Sequence, residues 1–153
     1  MKMFVLSIVL ALASQGASVP ATSPLVSSIG GAFFAVSVAD IEASTRWYAE
    51  KLGMRVTMHL PKDGKASVTV LEGGRLTVEL IQHDDATPAG RAPELVRGIF
   101  KSGIVVDDLE VVLAQLKARG VPIAFGPFPA RGNIRSNLII RDNEGNLIQF
   151  FGK

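Results

Sequence analysis

The sequence predicts an α+β fold built from two tandem βαβββ units, and three observations carry that prediction. One pattern occurs twice: an apolar alternating strand running into an acidic helix start, at Phe34-Ala35-Val36-Ser37-Val38-Ala39-Asp40-Ile41-Glu42 and again at Ser102-Gly103-Ile104-Val105-Val106-Asp107-Asp108-Leu109-Glu110. Each copy continues into a helical stretch that stops at a glycine, Gly53 in the first and Gly120 in the second. Each unit then closes on a glycine turn and a strand, Gly73-Gly74-Arg75-Leu76 onward and Glu144-Gly145-Asn146-Leu147 onward.

The elements follow in order. Phe34, Val36 and Val38 alternate with Ala35 and Ser37, so the first strand has one apolar face and one small, partly polar face. Asp40 suits an N-cap, and Ile41, Thr45, Tyr48 and Leu52 recur at helical spacing before Gly53, which predicts a helix lying on the outside of a sheet. Residues 54–60 and 66–72 read as strands joined by the turn Pro61-Lys62-Asp63-Gly64-Lys65, and a second turn at Gly73-Gly74 leads into a strand over 76–82. The breakers Pro88, Gly90 and Pro93 mark residues 83–98 as a linker between units, with one helical turn admissible at 93–97. The second unit spans 99–152. Its helix runs over 108–119 with Leu109, Val112, Leu113 and Leu116 on one face, followed by a strand over 121–125 and a Pro/Gly-rich loop over 126–132. A closing hairpin pairs 137–141 with 146–151 around Asn143-Glu144-Gly145. The first unit occupies 29–82.

Residues 1–21 have the basic start, short apolar run (3–13) and small-residue exit of a secretory signal, and that run is too short for a bilayer span, which needs ~20 residues. Export to the periplasm or beyond is therefore expected, with a mature start near Thr22, a short arm over 22–28 and no stable membrane anchor after processing. An uncleaved anchor or a frayed arm is the alternative. The chain has no cysteine, which excludes disulfides, thiolate ligands and a cysteine nucleophile. Net charge is +2 and falls towards zero without Lys2, so no nucleic-acid partner is indicated. Neither Gly30-Gly31 nor Gly73-Gly74 opens a phosphate-binding helix, and no serine sits in a strand-turn-helix elbow.

The repeated strand-helix-strand order, the Asp-Ile/Leu-Glu helix starts, Trp47-Tyr48 with Leu52-Gly53, and Asp142-Asn143-Glu144-Gly145-Asn146 before the last strand resemble the glyoxalase/bleomycin-resistance/extradiol-dioxygenase superfamily over 29–152. The resemblance implies that the two units form one glyoxalase-like domain, a cup-shaped mixed sheet with outer helices enclosing a small-molecule cavity. It also implies that units often pair between chains, so a homodimer is admissible. In many members four inward side chains hold a divalent metal. Placed on that pattern, the four positions here fall on Phe33, Glu79, Lys101 and Gln149.

Only Glu79 is a strong ligand type, and no His lies within 30–38 or 99–106. The expected state is metal-free, with no cofactor. Two functions remain open on this basis. One is a small-molecule binding module like the resistance proteins, with Phe33, Glu79, Lys101, Gln149, Arg131 and Arg135 as ligand contacts. The other is a lyase- or isomerase-type enzyme with Glu79 as general base and Lys101 as the positive charge that replaces the metal. A plain salt bridge between Glu79 and Lys101, or a solvated Lys101, is the simpler reading. Arg131 and Arg135 flank Gly132 and suit a carboxylate clamp, or are merely a surface loop. His83-Asp84-Asp85 is a weaker metal candidate and His59 a strand-surface residue. Of Phe33, Trp47, Phe100, Phe125, Phe128, Phe150 and Phe151, about two are expected to line a pocket and the rest to fill the core.

Overall fold

The computed structural model describes residues 31–87 and 99–153. The expected leader (1–21), the arm (22–28) and the greater part of the linker (88–98) lie outside the described residues. The first unit comprises β1 (Ala32–Ser37), α1 (Ile41–Leu52), β2 (Arg55–Asp63), β3 (Ala66–Gly73) and β4 (Leu76–His83). The second comprises β5 (Ser102–Val105), α2 (Leu109–Ala118), β6 (Ile123–Phe128), β7 (Asn137–Arg141) and β8 (Leu147–Phe151). Each unit is a four-stranded sheet, ordered β1-β4-β3-β2 and β5-β8-β7-β6. β1 runs parallel to β4 and β5 parallel to β8, while the remaining neighbours are antiparallel.

Both helices begin and end where their caps require. Asp40 accepts from the Ala43 N–H at 2.9 Å, and Asp108 accepts from Glu110 and Val111 at 2.9 and 3.1 Å, satisfying donors that a helix start leaves unpaired. Gly53 closes α1 at φ 71°, a left-handed conformation that glycine adopts without a Cβ clash.

Two strands run further than the turn chemistry predicts. β2 continues through Pro61-Lys62-Asp63, leaving only Gly64-Lys65 as the turn, and β6 continues through Gly126-Pro127 to Phe128. Both are edge strands, and both have shifted registers at the proline. A missing N–H on an unpaired edge breaks no ladder bond, so proline is tolerated there.

One face of each sheet meets the helices and forms the core. Tyr48, Leu71, Val78, Leu80, Leu138 and Ile140 are fully buried in one cluster that spans both units. Each such aliphatic side chain contributes about 1.5–3 kcal/mol by leaving water. On α1 the buried stripe is Ile41, Ser44 and Tyr48 rather than one through Thr45, which is only half-buried.

The units are joined by polar contacts along α1. The Tyr48 hydroxyl donates to Asp142 at 2.8 Å, Asn143 Nδ2 donates to Ser44 Oγ at 2.7 Å, and the Ala39 N–H donates to Glu144 at 3.0 Å. At the far end of α1 the Lys51 ammonium donates to the Arg119 carbonyl at 2.6 Å, and Arg119 donates back to the Lys51 carbonyl at 3.1 Å. Asp142 also accepts from the backbone of Glu144 and Asn146 and from the Asn146 amide. The Asp142-Asn143-Glu144-Gly145-Asn146 run is thus a turn that holds itself together and grips the other unit.

Candidate functional site

The sheet faces turned away from the helices carry Phe33, Glu79 and Gln149 among the residues singled out from the sequence. On the first sheet Ala35 lies opposite Glu79, Glu79 opposite Val70, and Val70 opposite Met58. Opposed residues project from the same face. Phe33, two residues before Ala35, therefore shares this face and is 66% exposed, with Met58 at 43%. Glu79 is half-buried, and its carboxylate makes no hydrogen bond or ion pair with any other described residue.

The second sheet repeats the arrangement. Gly103 lies opposite Gln149, Gln149 opposite Ile139, and Ile139 opposite Phe125. Lys101 precedes Gly103 by two residues, as Phe33 precedes Ala35, and is exposed at the mouth of β5. The pairs Phe33/Glu79 and Lys101/Gln149 thus occupy equivalent places in the two units. They lie on separate sheets, and no ion pair joins Lys101 to Glu79 among the described residues.

Gln149 is buried, only 6% exposed, although it projects from the outer face. Its Nε2 donates to Asn137 Oδ1 at 2.8 Å, and Asn137 Nδ2 donates to the Arg135 carbonyl at 3.1 Å. A carbonyl only accepts, so Arg135 fixes which way the Asn137 amide points, and Asn137 in turn fixes Gln149. Gln149 Oε1 is left as a buried acceptor without a partner. An acceptor in that state costs free energy until a donor reaches it.

Arg131 and Arg135 are both exposed on the loop after β6, which Arg131 closes by a backbone bridge to Ile134. Only the Arg135 backbone, not its guanidinium, enters the amide relay. His83 is exposed, and its neighbours Asp84 and Asp85 are engaged by Lys62 at 2.7 Å and Lys65 at 3.3 Å. His59 shares a 2.9 Å hydrogen bond with Thr69 on the helix side of the sheet. Phe125 and Phe128 are each 48% exposed on the outer face beside Ile139 and Asn137, whereas Phe150 is buried on the helix side. Trp47 packs its ring edge-on to Tyr48, with centroids 5.1 Å apart, and belongs to the core. Asn137 was invisible as a site residue in the sequence, because only its pairing opposite Phe151 and Phe128 turns it towards Gln149.

Of the four positions that the family resemblance implies for metal ligands, Phe33 offers no donor atom and Lys101 offers a cation. The remaining two donor residues, Glu79 and Gln149, lie on different sheets, and no cluster of three His or carboxylate residues forms among the described residues. That donor set does not fit a closed divalent-metal geometry.

Comparison with curated proteins finds no match. Among solved structures, similar ones include a glyoxylase/bleomycin resistance protein/dioxygenase domain from Frankia sp. EAN1pec, with 19% identity, TM-score 0.61, and 84% of this chain and 98% of that one covered. TnmS3, an antibiotic binding protein from Streptomyces sp. CB03234, shares 22% identity at TM-score 0.61 over 85% of this chain and 98% of its own. A glyoxalase I from Zea mays shares 21% identity at TM-score 0.64 over 79% of this chain and 44% of its own. These likenesses concern the fold, and the sequence itself matches the family over residues 32–150. The chain therefore belongs to the Glyoxalase/Bleomycin resistance protein/Dioxygenase superfamily.

Proposed function

We propose that this chain binds a small, largely apolar molecule against the outer faces of its sheets, without a divalent metal. The observation that carries this reading is the pair Phe33 and Lys101 at two of the four metal positions of the family, set among exposed Met58, Phe125 and Phe128. An aromatic and a cation in place of two ligands favour a planar or anionic organic molecule over a metal ion. A similar fold serves an antibiotic binding protein, which is in keeping with a binding role. A homodimer that brings the first sheet of one copy against the second sheet of another would enclose the ligand and set Lys101 of one copy near Glu79 of the other. Residues 1–21 support export, which cell fractionation and N-terminal sequencing of the mature chain test.

The deciding experiment is elemental analysis of protein purified without chelators or an affinity tag, with Glu79→Ala alongside. Substoichiometric metal in both is expected. Stoichiometric metal that disappears in Glu79→Ala would overturn the reading and put the chain with metalloenzymes.

A second reading rests on Glu79 alone, a half-buried carboxylate with no described partner on an apolar face. In that reading it serves as a general base in a lyase- or isomerase-type reaction, with Lys101 stabilising the developing oxyanion. Turnover abolished by Glu79→Gln with ligand affinity retained would favour it.

A further inference from the structure

One well-formed cavity among the described residues lies away from the outer sheet faces. It is a cleft of about 580 Å³ at the seam between the units, open on one side. That volume falls in the range of small-molecule sites. Its floor is apolar, built by Leu52 and Met54 from the first unit and Ile104, Leu116 and Phe150 from the second. Its rim is rich in cations: Lys51, Arg75, Arg119 and Lys153 line it, against a single side-chain carboxylate, Asp107. Lys51 and Arg119 each give one donor to the other's carbonyl, which covers two helix ends, and Lys153 contacts Asp107. Each of these cations keeps further N–H donors, and Arg75 has no side-chain partner among the described residues.

Arg75 carries a second, independent signal. The hairpin joining β3 to β4 pairs Gly73 with Leu76 and has positive φ at both central residues, 57° at Gly74 and 67° at Arg75. Such a turn selects Gly or Asn, and a long side chain there is strained. Arg75 is the one non-glycine residue with positive φ among those described, and it sits on the rim of the cleft. Strain tolerated at a rim position is accounted for if the guanidinium contacts something that the folded chain alone lacks.

We infer that this seam cleft is a second binding site, for a molecule with an apolar body and one oxyanion head, in which Arg75 receives the head. It stands apart from the sheet-face reading and does not depend on it.

The test uses two probes with the same skeleton, 8-anilinonaphthalene-1-sulfonate and N-phenyl-1-naphthylamine, titrated by fluorescence and mapped by backbone amide shifts. The sulfonate is expected to bind about tenfold more tightly than the uncharged amine, the size of one charge-assisted contact. Its shifts should fall on residues 73–76 and 104–107. Arg75→Asn should erase most of that preference while leaving the thermal midpoint no lower, since Asn accepts the left-handed conformation. Lys62→Ala removes a cation at the far end of β2, away from the cleft, and should change neither affinity. Equal affinity of the two probes, an unaltered preference in Arg75→Asn, or shifts confined to Ile139 and Gln149 would overturn the inference. The last outcome would speak for the sheet faces instead.

Discussion

Tyr48 is the single tyrosine of the chain, fully buried, with its hydroxyl on Asp142. Burial first, then the nearby Asp142 and Glu144 charges and the hydrogen bond to Asp142, raises its pKa well above the ordinary phenol value. A raised folded pKa favours the protonated phenol, so its stabilising effect is intact below the unfolded value near ~10 and is lost as pH rises beyond it. Absorbance at 295 nm should therefore show no tyrosinate until the fold opens, with tyrosinate and loss of helix signal appearing together. Tyrosinate forming in a still-folded protein would contradict the burial. Tyr48→Phe removes the donor from a buried carboxylate and is expected to cost ~1–3 kcal/mol in urea unfolding. The amide relay makes a second residue-level prediction. Gln149→Glu sets a carboxylate oxygen against the fixed Asn137 Oδ1, and only the protonated acid can donate across that gap. Its destabilisation should be larger at pH 8 than at pH 4.5, and an equal loss at both would show that Asn137 is free to turn. The relay was not legible in the sequence, because its direction depends on a backbone carbonyl at Arg135 that only the β7 register brings into play.

At the scale of elements, the sequence announced what local chemistry decides and missed what edges decide. Asp40, Gly53, Asp108 and Gly120 fixed both helices, because a cap needs only the few residues around it. The strand ends of β2 and β6 escaped, because the tolerance of Pro61 and Pro127 follows from their position at the outside of each sheet, which depends on strand order. Asp108 accepts two backbone N–H groups and Asp40 one. Asp108→Ala and Asp40→Ala are each expected to lower stability by about 1 kcal/mol, Asp108→Ala more. A cost below a few tenths for Asp108→Ala, measured by urea midpoint, would mean that tertiary packing alone sets the start of α2.

At the scale of the whole molecule, equivalent positions in the two units could be counted off from the repeat, but their assembly could not. The equivalence of Phe33/Glu79 and Lys101/Gln149 follows from identical sheet order in the two units, and the doubled pattern already contained it. What the repeat does not contain is how the units face each other. That is set by scattered long-range contacts, Tyr48 to Asp142, Asn143 to Ser44 and the Lys51–Arg119 exchange, which leave the two outer faces unjoined by any ion pair between Lys101 and Glu79. The exposed Phe33, Met58, Phe125 and Phe128 then present apolar surface of the kind that association removes from water. If a second copy covers these faces, sedimentation equilibrium should show a dimer, and Phe33→Glu together with Phe125→Glu should dissociate it. Such variants keep the core, since neither side chain is buried, so they should remain folded as monomers. A wild-type chain that sediments as a monomer at tens of micromolar would instead leave each sheet face to bind its ligand alone, open to water and correspondingly weakly.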